Sequence, residues 1–249
     1  MGLATPTALM VGIGKAAQKQ ILIKDASALE NLRKVDALVI DKTGTLTIPN
    51  PNIDFTRQDQ LSLQERESLK PHAKEAMTAL RQEGIEVYMM SGDKEEAARY
   101  WAQEAGIGNY HSKVLPGDKQ ALVKTLQQQG KRVAMVGDGI NDTQALALAD
   151  VSIAIGRGTD VAMDVAQITL MGDDLMALPD AVVLSRKTVG MIWQNLFWAF
   201  VYNFVCIPLA AGALHIFGID FQITPMWASG LMACSSLSVV LNSLRLRWA

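Results

Sequence analysis

Apolar positions run in blocks along the chain, and the blocks change character twice. Residues 1–14 are apolar apart from two threonines. A bilayer span takes about 20 residues, so this stretch reads as the inner end of a longer helix whose start is missing. Residues 15–34 are mixed, in a helical pattern. VDALVID (35–41) is a continuous apolar run closed by an aspartate, the pattern of a buried strand. Residues 48–70 are polar and carry two prolines. They are expected to form a linker with one helical turn, begun by the capping-box spacing Ser62-x-x-Glu65.

From Pro71 the periodicity alternates. Helices are predicted over 72–83, 94–105, 117–129 and 143–149, the first three stopped by Gly84, Gly106 and Gly130. Strands or strand-to-loop segments are predicted over 85–93, 132–142, 151–156 and 168–171. Strands alternating with helices imply an α/β domain with a mostly parallel sheet and helices on both faces. The carboxyl-terminal part differs. Residues 189–219 carry no formal charge apart from that open to His215, and 223–244 carry none. Each is long enough to span a bilayer, as about 189–212 and 223–244. Arg186 and Lys187 flank the first, Arg245 and Arg247 the second, and the turn between them has Asp220 and no lysine or arginine. That asymmetry puts both outer ends in the cytoplasm. The chain thus divides into a membrane-helix end and stalk (1–34), an α/β domain (35–180) and a helical hairpin (181–249).

With 49% hydrophobic and 19% charged residues, the composition suits a chain with soluble and lipid-buried segments. A net charge of −2 argues against a nucleic-acid surface. Cys206 and Cys234 both lie in apolar stretches and suggest neither a disulfide framework nor a CxxC metal site. The amino terminus lacks the basic region of a cleavable signal peptide.

Ligands of open parallel sheets bind beyond the carboxyl ends of the strands. Asp41, Ser91-Gly92-Asp93 and Asp138 all follow predicted strands, and Asp142 shares the loop of Asp138, so these groups should converge on one crevice. Clustered carboxylates raise one another's pKa, and a hard cation resolves the repulsion; oxygen ligands beside phosphate favour Mg²⁺. Lys119 and the Ser91 hydroxyl can hold phosphate oxygens. An aspartate acting as nucleophile gives an acyl phosphate.

DKTGTLT (41–47), SGD (91–93), a downstream lysine and GDGIND (137–142), in that order, resemble the P-type ATPases, a branch of the haloacid dehalogenase-like phosphotransferases. The resemblance covers nearly all of the chain outside 48–70. It implies that Asp41 is phosphorylated, with ATP as the family's phosphoryl donor. It further implies that the Thr43 carbonyl and Asp138 join Asp41 in holding Mg²⁺, with Asp142 behind them. Lys42, Thr43, Ser91, Gly92, Lys119 and Asn141 would contact phosphate. Serine stands here where the family usually has threonine in TGD, and keeps the hydroxyl.

Within the hairpin, YNFVCIP (202–208) and MACSS (232–236) are similar to the YN-x4-P and MxxSS motifs of the copper(I) branch. A thioether is a soft ligand suited to copper(I), and Met232 and Ser236 fall on one helical face. Tyr202 and Asn203 would face them, or instead serve as interhelical hydrogen-bond partners. Cys206 shares that face, as a thiolate on the metal path or as a small buried hydrophobe. Cys234 reads as packing.

Three features of the family are not found in the sequence. A nucleotide-binding domain with its HP signature would lie where only residues 48–70 stand; the actuator's TGE and the CPC metal site would lie ahead of Met1. The expectation is therefore a copper(I)-exporting ATPase fragment, not transport-competent alone, in a bacterial plasma membrane with the phosphorylation domain cytoplasmic. Its partners would be lipid, copper(I), and a metallochaperone or a chain carrying the missing domains. The alternatives are a residual Mg²⁺-dependent phosphatase using small phosphoryl donors and a non-enzymatic membrane relic or partner.

Overall fold

The computed structural model describes residues 4–52, 61–138, 140–156, 164–211 and 224–248. Two compact units are present: residues 16–183, and residues 1–15 with 184–249.

The first unit is built on a seven-stranded sheet. Its strands are β1 (Ile21–Ile23), β2 (Ala37–Asp41), β5 (Glu86–Met90), β6 (Asn109–His111), β7 (Val133–Gly137), β8 (Val151–Ile155) and β9 (Ile168–Leu170), in the order β1-β9-β8-β7-β2-β5-β6. All neighbours run parallel except β1, which pairs antiparallel with β9. The strands β2, β7 and β8 are buried at every position, as near-continuous apolar runs covered on both faces should be. Ala37, Val39, Met90, Val133 and Met135 pack with Val123 and Leu126 of α6 (Pro116–Gln128) and with Ala145 and Leu146 of α7 (Thr143–Leu148). The helices α4 (Ala73–Gln82) and α5 (Glu95–Glu104) bury Met77, Leu80 and Trp101. Gly84, Gly106 and Gly130 take positive φ after their helices, as predicted. Register places Asp41 of β2 beside Met90 of β5, and Ile40 beside Val136 of β7. The carboxyl ends of the central strands therefore carry Asp41, the Ser91–Asp93 turn and Asp138.

Three expectations need correction. Residues 15–34 are not one helical stretch. The helix α1 (Ala4–Gln18) ends ahead of Gln20, which has φ +61°, and β1 then leads to α2 (Ala26–Leu32), capped by Asp25 accepting from Ser27 N. Residues 48–70 are ordered at both ends. The strand β3 (Thr47–Pro49) pairs antiparallel with β4 (Glu67–Leu69), and α3 (Leu63–Arg66) precedes β4. The Ser62/Glu65 capping box forms as expected, while 53–60 lie outside the described residues. The strand β6 was not foreseen: three mostly polar residues at a sheet edge carry no apolar alternation.

In the second unit, α8 (Ala177–Ala210, whose earlier residues belong to the first unit) is long and apolar enough to cross a membrane. The helix α9 (Pro225–Leu244) is apolar over Ser229–Leu244 and is followed by a 3₁₀ turn (Arg245–Trp248). Residues 212–223, which the sequence assigned to the end of one span and the start of the next, lie outside the described residues. Trp193, Phe197, Phe200, Phe204, Ile207 and Leu237 are exposed, the surface expected of helices solvated by lipid rather than water. The helices are joined by polar contacts. Asn195 is buried; its amide donates to Ala4 O (3.3 Å) and Ser243 Oγ (2.8 Å), and its Oδ1 accepts from Asn242 Nδ2 (2.9 Å). A Cβ on Gly12 would stand 2.5 Å from Thr188 Oγ1, so α1 and α8 approach closely only because that residue is glycine.

Candidate active site

Asp41 is the last residue of β2 and is buried. Its Oδ1 accepts from the Lys119 ammonium, which also donates to Asp142 Oδ1 at 2.6 Å. Lys119 reaches this position from the first turn of α6 and is itself buried. Carboxylate oxygens of Asp41, Asp138 and Asp142 lie within 4.8 Å of one another. Two glycines make the cluster possible. Gly44 has φ +76°, and a Cβ there would collide with Asp138 Oδ2; a Cβ on Gly137 would stand 2.6 Å from Asp142 Oδ2. The turn after Asp41 closes through Leu46 N and Thr47 N, both donating to Lys42 O at 2.9 Å.

The electrostatics follow from one lysine facing three carboxylates. Burial, then Asp142, push the Asp41 carboxyl up to about 7 against the pull of Lys119, with Asp138 adding to the rise. Burial and Asp142 also raise Asp138, with Lys70 and Lys119 opposing. Burial would lower Lys119, but Asp41 and Asp142 outweigh it and the ammonium is held above its ordinary value. Three crowded oxygen donors with too little positive charge fit a hard cation such as Mg²⁺. The Thr45 hydroxyl, buried in the same turn, has no hydrogen-bond partner among the described residues.

The remaining predicted residues are placed as follows. Ser91 is buried, and its Oγ accepts from Asp93 N at 3.1 Å; Thr43, Gly92 and Asn141 are exposed near the same strand ends. Lys42 is buried, but its ammonium is committed to Glu67 and to Asp93 (2.7 Å) rather than to the carboxylate cluster. Glu67 also accepts from Thr47 Oγ1 at 2.8 Å, so β4 is tied to the turn after Asp41. Sequence reasoning missed Lys70. Its buried ammonium pairs with Asp173 at 3.2 Å and acts on Asp138. A lone lysine in a polar stretch carries no signal of burial.

The hairpin residues are not gathered. Met232 is 71% exposed, Ser236 and Asn203 are exposed, and Asn203 Nδ2 donates to Ala199 O of its own helix at 2.8 Å. Cys206 is half-buried and Cys234 exposed, so the reading of Cys234 as packing does not hold among the described residues. Tyr202 instead lines a recess with Asn195, Trp198, Ser238, Val239 and Asn242.

A mostly parallel sheet with an aspartate at the end of a central strand, facing a lysine from a following helix and two aspartates of a neighbouring strand-to-helix loop, defines the haloacid dehalogenase-like class. Residues 52–150 match the model of the haloacid dehalogenase-like hydrolases. The chain is 35% identical over 356 residues to the "Probable copper-transporting ATPase PacS" of Synechocystis, covering 99% of this chain and 48% of the relative. It is 34% identical over 345 residues to the "Copper-exporting P-type ATPase" of Staphylococcus aureus, covering 99% and 42%. A solved zinc-transporting PIB-type ATPase in the E2.Pi state superposes with a TM-score of 0.82 at 24% identity, over 98% of this chain and 55% of that one. The chain is thus similar to P-type ATPases over 99% of its own length, and spans about half the length of the curated relatives it matches. Both alignments extend over more residues than the 249 of the chain, so the relatives carry internal sequence that it lacks.

Proposed function

We propose that the chain is the phosphorylation domain and a membrane hairpin of a copper(I)-exporting P-type ATPase, with Asp41 as the phosphoryl acceptor. The observation that carries this reading is the buried Asp41–Lys119 pair inside the Asp41/Asp138/Asp142 cluster. In this reading Asp41 Oδ attacks the phosphorus of the donor, the bond to the leaving oxygen breaks, and an aspartyl phosphate remains. Lys119 holds the transferred group against Asp41 and offsets its negative charge, and the Ser91 hydroxyl orients another phosphate oxygen. Asp41, Asp138 and the Thr43 carbonyl would hold Mg²⁺, with Asp142 fixing Lys119 behind them; bound there, the ion would neutralise the carboxylates and draw charge from the phosphoryl oxygens.

ATP is the donor in complete relatives of this class by resemblance. The short β3–α3–β4 segment stands where the nucleotide-binding domain is expected, so small acyl phosphates are the donors this chain should use by itself. Copper(I) as cargo rests on the two hairpin motifs and on the relatives' names; Tyr202, Asn203, Met232 and Ser236, with Cys206 beside them, would line its path. Net transport would need a partner chain or further segments that bring metal ligands over these exposed side chains, with a metallochaperone as the copper source. The domain containing Asp41 would lie on the cytoplasmic side of the plasma membrane. A Mg²⁺-dependent phosphatase on the same residues is the second reading, favoured by the internal sequence the chain lacks.

The test is labelling by acetyl phosphate with Mg²⁺. A hydroxylamine-sensitive adduct should form on the wild type and not on Asp41→Asn. Equal labelling of both would remove Asp41 from the mechanism, and rapid turnover without adduct would favour the phosphatase.

A further inference from the structure

The paired helices α8 and α9 form an open-sided recess of about 290 Å³ lined by Asn195, Trp198, Tyr202, Ser238, Val239 and Asn242. Two carboxamides, a hydroxyl, a phenol and an indole in so small a space are unusual on helices whose outward faces carry Trp193, Phe197, Phe200 and Leu237. The helices run antiparallel here: Asn195 bonds to Asn242 and Ser243, and Trp198 and Tyr202, further along α8, share the recess with Ser238 and Val239. Its lining runs about 10 Å along α8, from Asn195 to Tyr202, and about 6 Å along α9, from Ser238 to Asn242. At its Asn242 end, Arg245 Nη1 donates to Asn242 Oδ1 at 3.2 Å.

Its hydrogen bonding is only partly met by protein. Asn195 donates both amide protons, to Ala4 and Ser243, and its Oδ1 accepts from Asn242. Ser238 spends its proton on Ser235 O at 2.8 Å and keeps its lone pairs. Among the described residues, Tyr202 Oη and Trp198 Nε1 have no hydrogen-bond partner. Water occupies about 30 Å³ in the liquid, so the recess has room for several; more of its lining is apolar than polar, and the unmet groups of Tyr202, Trp198 and Ser238 are what would hold water there.

We propose that this recess is a hydrated site, which binds water and admits small hydrophilic solutes from the Arg245 end of the helix pair as far as Tyr202. The proposal rests on the reading that α8 and α9 lie in a bilayer; it does not depend on which ion is transported. It supplies what the Tyr202 motif by itself does not, an aqueous approach to that residue between otherwise apolar helices.

Cysteine accessibility tests it in the full chain, in lipid nanodiscs. The native thiols are Cys206 and Cys234, both replaced by alanine in the parent. Ser238→Cys places a near-isosteric thiol in the recess; Leu237→Cys places one on the neighbouring exposed face. The probe is a trimethylammonium-ethyl thiosulfonate, and both variants must match the parent in helix content. Ser238→Cys should react at least about tenfold faster than Leu237→Cys, and adding Asn242→Leu should slow it severalfold. If both thiols are slow, the recess is dry and the proposal fails. If both are fast, the helices are not shielded by lipid, which overturns the membrane reading and this proposal with it.

Discussion

Asp41→Asn should stabilise the Mg²⁺-free protein at neutral and alkaline pH, although it removes the proposed nucleophile. The cause is the cluster itself. Asp41 is 7% exposed and stands against Asp142 and Asp138, so its carboxyl is raised from 3.8 to about 7 even with Lys119 attached. A rise of that size corresponds to about 4 kcal/mol against the ionised form, an upper figure because Lys119 and the neighbouring carboxylates readjust. With the folded value above the unfolded one, the native state binds the proton more tightly. That stability is fully present below the unfolded value near 3.8 and is lost as pH rises towards 7. Asparagine has no proton to lose and escapes the loss. The variant and the wild type should therefore converge near pH 4, separate up to about pH 7, and hold a constant gap above it. Hydrogen-exchange protection of the β2 and β7 amides, measured in EDTA and referenced to intrinsic rates, reads the gap directly. Adding Mg²⁺ should raise the wild type more than the variant and narrow the gap. A variant less protected than wild type at about pH 8, or a gap independent of pH, would refute the argument.

Much of this fold could be read from periodicity because its central elements are extreme. VDALVID and RVAMVGD are apolar runs ended by aspartates, and in a parallel sheet buried on both faces such runs have one plausible placement. The convergence of Asp41, Asp138 and Asp142 follows from that placement, since Asp41 and Asp138 stand at the ends of neighbouring strands and Asp142 shares the loop of Asp138. What the sequence concealed is of another kind. The strand β1 depends on pairing with β9, more than a hundred residues away, and three residues of ILI carry no period. The ordering of 47–49 and 67–69 depends on Thr47, Glu67 and Lys42 meeting in a buried network, which no local pattern announces. Lys42 illustrates the limit of motif reasoning. The family resemblance implied a phosphate contact for it, and its ammonium lies here between Glu67 and Asp93. The hairpin was legible as apolar helices, but the direction each polar side chain takes depends on neighbours. Hence Tyr202 was found in the recess while Asn203 and Met232 face outward.

Gly44→Ala should cost at least about 1–2 kcal/mol from its left-handed backbone alone. It should also weaken Mg²⁺ binding, because the new Cβ displaces Asp138; calorimetric Mg²⁺ affinity equal to wild type would contradict the close approach. Lys119→Met leaves Asp41 and Asp142 buried without a cation and should cost about 3–5 kcal/mol in EDTA, partly recovered by Mg²⁺. An unchanged melting temperature in EDTA would mean that the pair contributes nothing. The last prediction concerns Asp150, a residue with no motif at all. Its Oδ2 accepts from Val133 N at 3.0 Å and from Gln127 Nε2 at 3.1 Å, and its Oδ1 from Arg132 Nη1 at 2.8 Å. It thereby caps the start of β7, the strand that ends at the active site. Burial would raise this carboxyl, but the bonds from Val133, Gln127 and Arg132 outweigh it and hold it below its ordinary value. Asp150→Ala orphans the Val133 amide and should cost about 1–3 kcal/mol at neutral pH. Because the folded value is the lower one, that contribution is complete above about 3.8 and disappears as pH falls through the depressed folded value. Exchange protection of the β7 amides in wild type and variant should differ by a constant amount from neutral pH to about 4, and the difference should close below that. A difference that persists unchanged in stronger acid would show that Asp150 acts through packing rather than through its charge.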